Sequence, residues 1–281
     1  MTDGYGQVHI PEDVPTSART YGWMLGGKDN FEVDRQFTIG MLEEFHAGVD
    51  ITRENRRFLY RAVRHMVSDG GIRQFIDMGC GLPTNNNVHQ VAQALAPESR
   101  VVYVDNDPIV LAHGRALLTT DESTTMIQAD FREQEALLAE PALQRLIDFD
   151  EPVGMLFLSV GHHLMDEDDP ARVLGEIIGR AAPGSHLAFS QMVCDRTPQR
   201  VDMNARFNGA GLQMRMRSPE EVAEMLPALE RVEPGLVNVK DWRPDPGQPA
   251  LDPVPAELQK YVGRSALDPS VYEYGGLLRK S

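Results

Sequence analysis

Three aspartates stand where short apolar runs give way to polar residues: Asp77 in RQFIDMGCG, Asp105 in RVVYVDND and Asp130 in TTMIQADF. A carboxylate at the end of a strand recognises a ligand by accepting its hydrogen bonds. Asp77 stands two residues before Gly79 in FIDMGCGLPTNNN. Gly79 and Gly81 let main chain approach a ligand closely, and the helix that follows offers unpaired amides. A dinucleotide fingerprint would have an apolar residue at Asp77 and a third glycine at Thr84. An acid there opposes a pyrophosphate and suits an ammonium group. Asp105 lies twenty-four residues past Gly81, where an acid can accept from both hydroxyls of a ribose. Asp130 can accept from an adenine amino group, with Phe131 as an apolar wall. Ammonium, ribose and adenine are the polar parts of S-adenosylmethionine. Asp77, Gly79 and Gly81 would hold its amino-acid end, Asp105 the ribose, Asp130 and Phe131 the adenine. Ser159 and Val160 would line the sulfonium side, and Asn106 is counted with the cofactor contacts.

A methyl already activated by sulfonium needs mostly alignment, but a hydroxyl or protonated amine acceptor also needs a base. The best candidates are His162 and His163 in LFLSVGHHL, because histidine titrates near neutral pH. The competing reading is a turn in which one of them binds backbone. Acids follow in MDEDDP. They suit a helix N-terminus better than a metal site, so no metal is expected. LSVGHH also lacks the Asn/Asp-Pro-Pro-aromatic sequence common in enzymes that methylate base or amide nitrogens. Ahead of all this, Tyr21, Lys28 and Asn30 lie in TYGWMLGGKDNF. That block is either a lid over the cleft that contacts substrate or a structural helix–turn. Arg56 and Arg57 can reach a ligand carboxylate but suit a solvated face, and Cys80 reads as packing.

The elements that must position these groups alternate. Strands are expected at IRQFIDMG, RVVYVDND, TTMIQAD, PVGMLFLSV and HLAFSQM. Between them run helical stripes such as Val88, Val91, Ala92 and Leu95. Asp107-Pro108 opens one helix as cap and first-turn proline, Ala171 to Ala182 form another, and Ser218-Pro219-Glu220-Glu221 is a capping box. ENRRFLYRAVRHM carries a stripe of Phe58, Leu59, Ala62, Val63 and Met66, and another helix should run from Ser17 to Gly26. Beyond Met192 the pattern loosens. GLVNVKDW can be a sixth strand and VYEYGGLLRKS a last one, antiparallel at or near an edge; RPDPGQPALDPVP is a surface loop. Strand–helix alternation implies a parallel sheet covered on both faces. The first fifteen or so residues read as a polar, proline-broken arm.

The 281 residues carry 27 basic and 42 acidic side chains, a net charge of −15. Such a surface repels a phosphate backbone, so no nucleic-acid partner is expected. MTDGYGQVHIPEDVP does not read as a secretory signal and no apolar run reaches membrane length, so neither a leader nor a membrane span is expected. Cys80 and Cys194 are the two cysteines, too few for a disulfide scaffold or cysteine cluster and consistent with a reducing compartment. The expectation is a cytoplasmic protein with a small-molecule acceptor and no membrane partner; its oligomeric state is not legible.

FIDMGCGLPT, VVYVDNDP, QADFRE and the HHLMDEDDP segment together resemble class I S-adenosylmethionine-dependent methyltransferases. TYGWMLGGKDNFEVDR, ENRRFLYRAVR, WRP and YGGLLRK narrow the resemblance to the S-adenosyl methyltransferase group once classed as a domain of unknown function. It covers roughly residues 15 to 281. It implies a Rossmann-like α/β fold, a seven-stranded, mostly parallel sheet with its last strand antiparallel, and helices on both faces. Residues 1–70 would form the arm and a helical cap, and residues 71–281 the methyltransferase domain, as one compact unit. Cofactor contacts are implied at Asp77, Gly79, Gly81, Asp105 and Asp130. Pro83 departs from the general pattern of a third glycine after Gly81. The resemblance names no acceptor. A non-catalytic binder of S-adenosylmethionine or its demethylated product, acting as a sensor or degenerate enzyme, is the alternative. A nucleotide-dependent oxidoreductase is disfavoured by Asp77 and Thr84.

Overall fold

The computed structural model describes residues 12–118 and 122–281. Most of the expected N-terminal arm lies outside them. Three helices open the chain: α1 (Ser17–Met24), α2 (Glu32–Glu44) and α3 (Gly48–Ser68). Thr16 caps α1 by accepting from the Arg19 amide. α2 was not foreseen, because its inward face carries Asp34, Thr38 and Leu42 rather than an apolar stripe. α3 begins well before the expected ENRRFLYRAVRHM stretch, and all five expected stripe residues are buried.

The alternating part follows as β1 (Gln74–Met78), α4 (Val88–Leu95), β2 (Arg100–Asp105), α5 (Pro108–Leu117), β3 (Thr124–Gln128), α6 (Gln134–Leu138), α7 (Pro141–Leu146), β4 (Gly154–Leu158), α8 (Pro170–Arg180) and β5 (His186–Cys194). Asp107 caps α5 through the Ile109 amide. Of the expected α4 face, Leu95 is 47% exposed, while Val88, Val91 and Ala92 are buried. The remainder comprises α9 (Thr197–Gly209), α10 (Pro219–Met225), β6 (Glu230–Arg231), β7 (Val237–Asn238) and β8 (Val271–Arg279). The Ser218–Glu221 capping box opens α10.

The sheet runs β3-β2-β1-β4-β5-β8-β6, with β7 also pairing β8. The first five strands are parallel. β8 is antiparallel to β5 over nine residue pairs, from His186–Arg279 to Cys194–Val271. The expectation was seven strands, and the sheet has eight. The extra one is the two-residue β6; β7 is all of the expected sixth strand, GLVNVKDW, that is strand, and Val239–Asp241 turns into a 3-10 helix instead. Trp242 packs edge-on against Phe58 of α3 at 5.3 Å, and the Arg61 guanidinium donates to the Trp242 and Val239 carbonyls. One apolar core lies on each sheet face. A third cluster joins Phe45, Ile51, Met203, Met216 and Val271 at the C-terminal end of β5. Strand order reverses between β1 and β4, which opens a crevice at their C-terminal ends.

Candidate active site

That crevice is a cavity of about 700 Å³. One end is built by the loops after β1, β2, β3 and β4. Gly79 and Cys80 both donate to the Val104 carbonyl, which pins the glycine loop to the end of β2. Gly79 has φ +68°, and a Cβ there would stand 2.6 Å from Val160 Cγ1. Both facts demand glycine. Asp105 accepts from the Gly81 amide at 2.9 Å on one oxygen and from the Asp107 amide at 2.9 Å on the other. The first oxygen also faces the Cys80 thiol at 4.0 Å, and the second keeps a further lone pair for a ligand hydroxyl. Burial raises the Asp105 pKa, and those amides draw it partly back. Asp77 has less support. Burial pushes its pKa up to about 7, against the pull of Arg56 and with the push of Asp105.

Arg56, set aside on the sequence as a solvated residue, is buried and lines the cavity. Its Nη2 donates to the Asn85 carbonyl and Asn87 Oδ1, each at 3.0 Å. Its Nε has no partner among the described residues. The signal available in sequence was position: Arg56 falls on the apolar side of α3, three residues before Leu59 and seven before Val63. Arg57 points away and pairs with Glu54 at 2.5 Å.

Asp130 also lines the cavity, but Arg132 holds it at 2.6 Å. That hydrogen bond keeps its pKa low. Phe131 stands edge-on to Phe157 at 5.7 Å and forms a wall beside Gly79. Asn106, Ser159 and Val160 line the same space.

The β4 loop turns at Ser159, whose φ is +57°. The Ser159 amide is fixed by the carbonyl and the hydroxyl of Ser190, at 3.0 and 2.9 Å. Gly161 follows under Phe189: a Cβ would meet the ring at 2.4 Å. This close approach sets the short 3-10 turn Gly161–His163 and both histidines on the cavity wall. Arg217 clamps the turn by donating to the Leu164 carbonyl at 2.9 Å and pairing with Asp166 at 2.7 Å. His163 Nδ1 lies 2.8 Å from the Gln213 carbonyl. A carbonyl only accepts, so Nδ1 carries the proton and Nε2 presents a lone pair. Burial lowers the His163 pKa; the Gln213 hydrogen bond draws it partly back, and the nearby Arg132 adds to the lowering. His162 is 6% exposed and its Nδ1 has no partner among the described residues. Burial, then His163 and Arg217, holds its pKa far below the usual range. Both rings are neutral near pH 7.

Behind this wall Glu273 of β8 is buried, and neither carboxyl oxygen has a partner with hydrogen-bond geometry among the described residues. Burial pushes its pKa up to about 8, with the Ser190 and Ser159 hydroxyls drawing it back. The MDEDDP acids do structural work. Asp168 accepts from the Met165 amide at 2.8 Å, and Asp169 caps α8. Among the described residues no three His, Cys, Asp or Glu side chains are grouped to hold a metal.

The N-terminal block divides. Tyr21 lines the cavity, its hydroxyl accepting from Asn55 Nδ2 at 2.8 Å. Lys28 is exposed, and neither it nor Asn30 is among the lining residues. Asn30 instead closes its own turn onto the Gly27 carbonyl at 3.2 Å and accepts from Arg35 at 2.9 Å. Gly26 packs against the Pro253 carbonyl, not against the crevice. α1 is held over the cavity by a buried ion pair, Arg19–Asp34 at 2.7 Å, whose side chains are 1% and 0% exposed.

The chain is similar to two solved proteins over nearly its whole length. One, from Thermobifida fusca YX and described as a candidate methyltransferase, has TM-score 0.82 and 37% identity, covering 95% of this chain and 96% of that one. The other, a DUF574 family protein from Streptomyces avermitilis, has TM-score 0.84 and 36% identity, covering 96% and 99%. Geranyl diphosphate methyltransferase, solved with S-adenosylmethionine, shares the fold at TM-score 0.50 and 11% identity over 98% of this chain and 100% of that one. No curated protein matches the sequence. Residues 4–280 match the S-adenosyl methyltransferase family model, and the chain belongs to that family.

Proposed function

We propose that this protein transfers a methyl group from S-adenosylmethionine to a small-molecule acceptor. The observation that carries this reading is one cavity lined by the strand-end acids Asp77, Asp105 and Asp130 and by His162 and His163. Asp77 would take the ammonium of the amino-acid end and Arg56 its carboxylate, which supplies the buried, unpartnered Nε with an acceptor. Asp105 would take the ribose through its remaining lone pair. Phe131, Val160 and the bare face of Gly79 would flank the adenosyl group, and Ser159 the sulfonium side. Asp130 is bound by Arg132, so it would meet an adenine amino group only with the lone pairs that arginine leaves.

When bound, the cofactor supplies an electrophilic methyl carbon whose bond to sulfur breaks with both electrons staying on sulfur. His163 serves as general base. Its Nδ1–H is held by the Gln213 carbonyl, so Nε2 takes the acceptor's proton. α1, fixed by Arg19 and Asp34, keeps water from the reacting groups. We further propose that residues 1–70 act as a cap on a catalytic domain of residues 71–281.

Calorimetric titration with S-adenosylmethionine, S-adenosylhomocysteine and NADH tests the reading. Micromolar binding of the first two and none of the third is expected. Binding of NADH alone would overturn it.

A further inference from the structure

The cavity does not end at the histidines. Past His163, the Gln213 carbonyl leads into Met214, and the lining becomes Met41, Phe45, Met192, Met203 and Phe207 with little polar interruption. These side chains come from four places in the chain: α2 and its end, the C-terminal end of β5, α9, and the loop after α9. All but Met214 belong to one packed cluster or stand beside it, and Phe37 adds a ring 6.1 Å from that of Phe207. The loop after α9 is held in place: Asn208 bonds both main-chain groups of Met214, and Asn204 both those of Met216.

Charge is spent elsewhere. Asp77, Arg56, Asp105, Asp107, Asp130 and Arg132 line the cavity from the cofactor side. Arg19, which also lines it, is tied to Asp34. The Thr38 hydroxyl donates to the Asp34 carbonyl at 2.7 Å and the Thr20 hydroxyl to the Ser17 carbonyl at 3.0 Å. A carboxylate, phosphate or ammonium seated among the methionines would lose its hydration and find no counter-charge. An apolar body would gain from burial, and unbranched thioethers adapt to its outline and favour aromatic rings.

We infer that the methyl acceptor is an uncharged hydrophobic molecule, aromatic or similarly bulky, that lodges in the methionine–phenylalanine end of the cavity and presents its nucleophilic atom toward His163. The inference deepens the proposed methyl transfer and rests on it for the acceptor's role. Two probes share one aryl frame: N-phenyl-1-naphthylamine is neutral, and 8-anilino-1-naphthalenesulfonate adds a sulfonate. Each is titrated by fluorescence into protein saturated with S-adenosylhomocysteine. The neutral probe should bind at least tenfold tighter than the sulfonate. Phe207→Asp on α9 and Met41→Asp on α2 should each weaken it at least tenfold, with affinity for S-adenosylhomocysteine within twofold of the parent. Equal or tighter binding of the sulfonate, no binding of the neutral probe, or full affinity in both variants would overturn the inference. Failure of S-adenosylhomocysteine to bind the parent protein would overturn the methyl-transfer reading instead, and the probes titrated without it would still decide the chemistry of this pocket.

Discussion

If Asp77 receives the ammonium of the cofactor, affinity must depend on pH in a particular way. Burial pushes the Asp77 pKa up to about 7, and the nearby Arg56 only partly offsets this. An ammonium group binds the carboxylate, not the acid. Below pH 7 most of the free protein therefore carries a proton on Asp77 that must leave on binding. For a site with pKa about 7, the ionised share rises from about one in eleven at pH 6 to about ten in eleven at pH 8. S-adenosylhomocysteine should thus bind about tenfold more tightly at pH 8 than at pH 6, about 1.4 kcal/mol. Calorimetry at pH 6, 7 and 8, in buffers of different ionisation enthalpy, reads both the affinity and the released proton. At pH 6 close to one proton should be released per ligand bound. Asp77→Asn removes the titrating group and the charged hydrogen bond. Its affinity should fall by about 1.5–3 kcal/mol at pH 8 and become flat between pH 6 and 8. A parent affinity that is already flat, with no proton released, would refute the assignment of Asp77 to the ammonium. A slope that survives in Asp77→Asn would move the titration to another group, with Asp105 the nearest candidate.

Other consequences follow from neighbouring features. Asp34→Ala removes the carboxylate paired with the buried Arg19 guanidinium and should cost about 3–5 kcal/mol in chemical denaturation; a loss under 1 kcal/mol would mean that α1 is not anchored there. Gly161→Ala drives a methyl into the Phe189 ring, so stability should drop by about 1–3 kcal/mol. With the histidine turn displaced, methyl transfer should fall far more than S-adenosylhomocysteine affinity, and parallel losses would argue against a local effect. Glu273 has a folded-state pKa of about 8, above that of an unfolded glutamate. The folded chain therefore holds a proton that the unfolded chain has released, and the stability it contributes is complete in acid and is lost as pH rises through about 8. Glu273→Gln should flatten this decline, by at most about 1.4 kcal/mol per pH unit; denaturation midpoints between pH 5 and 9 that fall equally in both proteins would contradict it.

The cofactor end was legible because a strand end is a local event. Asp77, Asp105 and Asp130 each sit at a boundary between an apolar run and a turn, and the rule that ligands gather beyond parallel strands needs only those boundaries. What the sequence did not show was which of these carboxylates already has a partner. Asp130 and Arg132 are two residues apart and close on one another, so an acid read as a ligand contact is also half of an ion pair. Arg56 was missed for the opposite reason. A lone arginine on a helix usually faces water, and only the packing of α3 against the glycine loop buries this one.

The acceptor end was illegible for a reason that also bears on its chemistry. α2 and α9 bury few apolar side chains against the rest of the protein; α9 buries Met203 alone. Neither helix therefore carries the repeating stripe that marks a core helix. Among their remaining apolar residues, Phe37, Met41 and Phe207 are only half-buried and line the cavity. An apolar residue that the protein's own core does not use is unreadable as periodicity, and it is available to a ligand. The two helices are held instead by polar ties: Asp34 to Arg19 for α2, and Asn204 and Asn208 to the following loop for α9. That division of labour leaves the methionine and phenylalanine side chains free to adapt to what they bind, while hydrogen bonds fix the main chain around them. A family that keeps the strand-end acids and varies these few apolar positions could change acceptors without disturbing the cofactor site.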